Sequence, residues 1–126
     1  MSTYRIKAID EMTTVHHGAV KLAGAELGIR AFGMQVLDLP ADFANYPEHD
    51  HAADGQEEVY VVLDGEAFFV IDGEAVPAAA GEAVRIDPAC TRSMRPGPEG
   101  ARILAVGCAP GVPYERPEGF RLAVAP

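Results

Sequence analysis

Pro47-Glu48-His49-Asp50-His51-Ala52-Ala53-Asp54-Gly55-Gln56-Glu57-Glu58-Val59-Tyr60-Val61-Val62-Leu63-Asp64-Gly65 is the stretch on which the reading of this chain turns. On an extended strand, residues two apart project from the same face. His49 and His51 therefore share a side, with Cα atoms about 6–7 Å apart, close enough for two imidazoles to converge on one ion. A carboxylate from a neighbouring strand would add an oxygen to the two nitrogens. That mixture suits zinc, iron, manganese or nickel. Tyr60 falls on the face of Glu58, Glu57 on the opposite face, and Asp50 points away from the two imidazoles.

Outward from this stretch the β signal is strong. Residues 58–63 and 66–71 read as strands, with Asp64-Gly65 as a turn between them and Asp72-Gly73 as a second turn. The Gly accepts the positive φ that tight hairpin turns require. Residues 83–86 and 102–106 supply two more strands, separated by the Pro/Gly-rich segment 95–100. Upstream, residues 29–39 alternate in part as a strand, and 40–47 form the loop that delivers the chain to His49. Residues 21–27 predict a short helix ended by Gly28, and 4–9 alternate as an edge strand. The tail from 110 to 126 carries four prolines and two glycines, which predicts an extended surface segment with at most one short strand. Phe68-Phe69-Val70-Ile71 predicts a strand covered on both faces, as when a barrel packs against a partner.

Short strands at regular spacing with little helix predict an all-β sandwich or barrel. We read residues 1–126 as one domain, with a core over about 29–109. Hydrophobic residues make up 48% of the chain, enough for a packed interior, and without Trp that interior rests on aliphatic side chains. A net charge of -9 and the lack of any basic run exclude nucleic acid as a partner and disfavour anionic membranes. No run approaches the roughly 20 apolar residues of a membrane span. Charges at Arg5 and Lys7 interrupt any leader-like start, so the expected location is cytoplasmic. Cys90 and Cys108, far apart and outside any C-x-x-C spacing, read as reduced thiols. His16-His17 reads as a solvent-exposed pair, with an approach to the barrel mouth as the alternative.

The quoted stretch resembles the first motif of the cupin superfamily, a His-x-His followed by a Glu that precedes a turn Gly by seven positions. Counting back from Gly65 gives Glu58. Residues 81–92 resemble the second motif, in which a Gly opens a strand and a His stands eleven positions beyond it. The resemblance spans 37–106. It implies a double-stranded β-helix (jelly-roll) barrel with a site in its mouth, an N-terminal strand and short helix before it, and an extended tail after it. It also implies a metal set of His49, His51 and Glu58, and a homodimer, since family members pair through sheet faces or exchanged edge strands.

Departures from the pattern carry as much information. Phe43 stands where a Gly opens the first motif, and six residues separate His51 from Glu58 where the family has three or four. Asp87 and Ala89 replace a Pro and a Gly, and Arg92 occupies the place of the last His ligand. A guanidinium stays protonated and offers no lone pair, so it cannot bind a metal. Either Arg92 pairs with Glu58 across the barrel mouth, or it joins Tyr60 in facing a ligand as an anion clamp.

The expectation is therefore a small cupin barrel that binds a small, anionic organic ligand beside Arg92 and Tyr60. One divalent ion (Zn, Fe, Mn or Ni) at His49, His51 and Glu58 is consistent with it. The alternatives are a metal-dependent dioxygenase, isomerase or decarboxylase, and a metal-free barrel serving assembly or regulation.

Overall fold

The computed structural model describes residues 3–44 and 46–123. Seven antiparallel strands appear among them: β1 (Thr14–Val15), β2 (Val20–Lys21), β3 (Gly33–Leu39), β4 (Glu57–Ile71), β5 (Glu74–Ala79), β6 (Ala83–Ile86) and β7 (Arg92–Cys108). Their order is β1-β2-β3-β7-β4-β5, with β6 also pairing β4. Among the described residues this path does not close into a hydrogen-bonded ring. β4 and β7 are long enough to serve two sheets. The first half of β4 lies between β6 and the second half of β7, and its second half lies between β5 and the first half of β7.

A change of side-chain parity lets both halves enclose one core. Tyr60 and Val62 point inward before the middle of β4, Ala67 and Phe69 after it, and all four are fully buried in one cluster. Side chains alternate strictly along a strand, so a switch from even to odd positions needs extra residues. The β4–β7 pairing indeed slips between Val62 and Asp64 and again between Gly65 and Ala67. β7 switches in the same way, from Arg92 and Met94 to Ala101, Ile103 and Ala105. Asp64-Gly65 is thus a bulge inside one strand rather than the expected hairpin turn. The segment 95–100 is likewise strand rather than connection. Gly65 (φ +74°) meets Gly100 (φ +81°) at the corner, where a Cβ on Gly65 would lie 2.1 Å from the Gly100 carbonyl oxygen.

Asp72-Gly73 does form a two-residue hairpin turn, with φ of 48° and 85° and Ile71 opposite Glu74. The strand it opens, β5, had no signal beyond that turn. Phe69 of the apolar run is buried, whereas Phe68 and Val70 are half-buried on the other face.

The helix α1 (Ala23–Leu27) starts two residues later than expected, because Val20 and Lys21 pair with Leu37 and Val36 of β3. It ends as expected at left-handed Gly28 (φ 73°), whose N–H reaches the Ala25 carbonyl while Ile29 N–H reaches that of Gly24. Residues 4–9 are not an edge strand: they find no strand partner among the described residues, and the segment runs into a 3-10 turn at Ile9–Glu11. Side chains anchor the segment instead. Glu26 of α1 accepts from Lys7 Nζ at 2.7 Å and from the Thr13 backbone N–H and hydroxyl at 3.0 and 2.7 Å. Beyond β7 the tail holds no strand among the described residues, only a 3-10 turn at Glu118–Phe120. No helix among them is long and apolar enough to cross a membrane.

Two expected outcomes follow from these contacts. Gly65→Ala should cost about 3 kcal/mol in urea unfolding, because the added methyl overlaps backbone. Gly73→Ala, with open space around it, should cost only the left-handed penalty of about 1–2 kcal/mol; equal losses would contradict the corner. Separately, hydrogen bonds from Lys7 and Thr13 hold Glu26 at about 2, below its ordinary 4.5. Its folded pKa is depressed, so its stabilisation is complete above pH 4.5 and fades as pH falls toward 2. The stability difference between the parent and Glu26→Gln should shrink across that window.

Candidate metal centre

The segment carrying the histidines lies along the start of β7. His49 and Arg92 exchange backbone hydrogen bonds of 3.0 and 2.8 Å, and His51 N–H donates to the Pro88 carbonyl at 2.9 Å. This is a single antiparallel bridge rather than a full strand, but it keeps the residues extended, so both rings emerge on one side. Their centroids are 5.2 Å apart, edge to face. Glu58 enters from β4, opposite Gly107 of β7, where a Cβ would come within 3.0 Å of the Glu58 Cγ. Asp50 is exposed and its carboxylate accepts from Ala52 N–H. Glu57 pairs with Arg85 at 2.9 Å on the surface. Both stand outside the cluster, as the alternation predicts.

One ligand atom from each of His49, His51 and Glu58 lies within 4.8 Å of the others. Glu58 Oε1 is 3.0 Å from His51 Nε2 and 3.7 Å from His49 Nε2. Ligands held at roughly 2.1 Å from an ion stand about 3.0–3.4 Å apart when their bonds meet at 90–109°; the His51–Glu58 distance falls in that range and the His49–Glu58 distance is slightly longer. Burial disfavours the ionised form of Glu58, yet His49, the Tyr60 hydroxyl and the neighbouring imidazoles outweigh it and hold its pKa at about 2. Glu58 in turn raises His49 above the ordinary histidine value, against the effect of burial.

Both imidazoles are held by the nitrogen that faces away from the cluster. His49 Nδ1 is 3.2 Å from the Pro47 carbonyl, and His51 Nδ1 is 3.1 Å from each carboxylate oxygen of Asp54. In the neutral ring, donation from Nδ1 leaves Nε2 with its lone pair, the form that ligates metals. His51 Nε2 is buried and has no hydrogen-bond partner among the described residues, because Glu58 Oε1, although near, is not in line with it. An orphaned buried nitrogen aimed at a carboxylate and a second imidazole fits a divalent ion of the zinc, iron, manganese or nickel kind.

Arg92 is completely buried behind Glu58. Its Nη1 donates to Glu58 Oε1 at 2.7 Å, its Nη2 to the Asp87 carbonyl at 2.7 Å, and its Nε to the Cys90 carbonyl at 3.1 Å. Tyr60, equally buried, donates its hydroxyl to the same Oε1 at 2.7 Å. Burial, with the Glu58 charge beside it, pushes the phenol well above its ordinary pKa. Of the two readings of Arg92, the geometry is that of the pair with Glu58. Neither Arg92 nor Tyr60 is among the residues that line the cavity, and their polar atoms are engaged by Glu58 and by backbone.

The cavity itself measures about 550 Å³, the size of a small-molecule site. His49, His51 and Glu58 contribute to its wall, and Leu37, Phe43 and Tyr46 make much of the rest apolar. Tyr114, Pro117 and Phe120 complete it from the tail, whose Arg116 donates to the Gly24 and Ile29 carbonyls beside α1. The tail read as a plain surface wrap, and only its aromatics at 114 and 120 hinted at this. His16 and His17 are exposed and also line the cavity, so the two readings of that pair meet. Both adopt left-handed backbone, φ 54° and 59°, a conformation uncommon outside Gly that His, like Asn and Asp, adopts more readily than other residues.

The family model described as the cupin domain matches residues 37–107. A cupin protein from Bacteroides fragilis shares 21% identity, with 99% of this chain and 100% of that one covered at a TM-score of 0.72. The Cupin_2 domain of an XRE family transcriptional regulator from Enterobacter cloacae shares 20% identity over 66% of this chain and 86% of that one, TM-score 0.56. The Cnp3 cupin domain of Schizosaccharomyces pombe shares 14% over 63% and 56%, TM-score 0.56. At these identities the likeness concerns the fold. No curated protein matches the sequence. The domain match spans more than half of the residues, and the strand arrangement agrees with it: this chain belongs to the cupin family.

Proposed function

We propose that this protein binds a small organic anion in its cavity, beside one divalent metal ion held by His49, His51 and Glu58. The observation that carries this reading is the buried, unpartnered Nε2 of His51, with Nδ1 of both imidazoles already engaged elsewhere. Charge supports the anion. Glu58 and Arg92 offset one another, and Asp54 offsets half of a divalent charge, leaving about one positive charge for a carboxylate to neutralise. When bound, the ion acts as a Lewis acid toward a ligand oxygen. The chain's own part is to present two imidazoles by their Nε2 atoms, to orient Glu58 from behind through Tyr60 and Arg92, and to shield the ligand with Phe43, Tyr46 and Phe120.

Protein prepared without an affinity tag should carry near-stoichiometric divalent metal by elemental analysis, and His51→Ala should lose it. Small carboxylates should raise the melting temperature of the loaded parent and leave His51→Ala unchanged. A parent free of metal after purification and after incubation with Zn, Mn, Fe or Ni ions would sink the reading.

One observation favours a second reading, a metal-free barrel: Arg92 already supplies the positive charge facing Glu58, and all three of its nitrogens are hydrogen-bonded. The two readings differ for Arg92→Met. Removing one partner of a buried pair should cost about 3–5 kcal/mol. Under the metal reading, added divalent ion restores more stability to the variant than to the parent, because the ion then takes over the charge opposite Glu58. Under the metal-free reading, metal changes neither melting curve.

A further inference from the structure

We infer that Asp54 is a positioning residue for His51, fixing its ring in the tautomer whose Nε2 lone pair faces the cluster; the inference deepens the proposed metal centre and rests on it. Asp54 sits in the segment between His51 and Glu58, which is longer than the family spacing. That extra length folds back on the histidine. Gly55, in left-handed backbone (φ +71°), donates its N–H to the His51 carbonyl at 2.8 Å. Gln56 N–H donates to Asp54 Oδ1 at 3.0 Å. The small loop thus places the Asp54 carboxylate at 3.1 Å from His51 Nδ1 through either oxygen.

The carboxylate only accepts, so Nδ1 must carry the proton. If Nε2 also carried one, the nearest acceptor would be Glu58 Oε1 at 3.0 Å, a normal hydrogen-bond length. The ring is not turned to make that bond, and Nε2 stays without a partner in a buried place. A ring clamped between two carboxylates as an imidazolium would align both N–H groups. This ring aligns one. His49 achieves the same orientation through the Pro47 carbonyl, so the two ligands are set by independent devices, and His49 serves as an internal control. A carboxylate behind a ligating imidazole also raises its basicity toward a metal.

The test uses the full chain with nitrogen-15 histidine, studied metal-free at mildly alkaline pH and then titrated with Co²⁺. In the parent, His51 should show a protonated Nδ1 and an unprotonated Nε2. Asp54→Ala should shift His51 toward the opposite tautomer, leave His49 unchanged, and weaken Co²⁺ binding about 10–100-fold. Asp54→Asn, whose amide oxygen can accept the same bond, should keep the tautomer and recover most of the affinity. A parent His51 protonated on both nitrogens, or a tautomer unaltered in Asp54→Ala, overturns the inference. So does an Asn variant as impaired as Ala. Failure of the parent to bind Co²⁺ overturns the metal centre, and the metal-free spectra still decide the role of Asp54 at the ring.

Discussion

The contact between Arg92 and Glu58 ties the start of β7 to the start of β4 directly behind the cavity. A guanidinium with no exposure to water is costly unless its donors are satisfied. Here a carboxylate and two backbone carbonyls take one nitrogen each. The same carboxylate oxygen accepts from Tyr60 and stands nearest to both imidazoles. The position of Glu58 therefore depends on Arg92, and the histidine cluster depends on Glu58. A residue that replaces a ligand in the family pattern has become the support of the remaining three.

The bend in β4 and β7 is the second constraint. Two antiparallel strands that turn a corner together must change parity together, or one half would present its polar face to the core. The bulges around Gly65 and the left-handed Gly100 achieve this at one point, where the two backbones approach too closely for any side chain. Upstream of the corner Tyr60 faces the interior; beyond it Phe69 packs against the Tyr60 ring at 5.4 Å. The floor behind the candidate site is thus built from both halves of a strand that the local pattern divides in two.

Outside these two features the site is assembled from segments remote in sequence. The wall contributed by Tyr114 and Phe120 depends on Arg116 reaching the carbonyls of Gly24 and Ile29. The left-handed His16-His17 turn reaches the same cavity from the N-terminal hairpin. Such long-range closure explains why an apolar pocket and a polar cluster coexist in a chain with few aromatic residues.

What the sequence by itself determined is what depends on neighbours in the chain. The period of two put His49 and His51 on one side, the positive φ of Gly28 ended α1, and Asp72-Gly73 made a hairpin. Asp64-Gly65 carried the same local signal and had another outcome, because whether a glycine turns a strand back or bends it depends on which strand pairs beyond it. Only the tertiary structure decided that, as it decided that Arg92 faces Glu58 rather than the cavity and that Asp54 meets His51. Those outcomes rest on distances between segments brought together by the shared core, and no local periodicity encodes such distances.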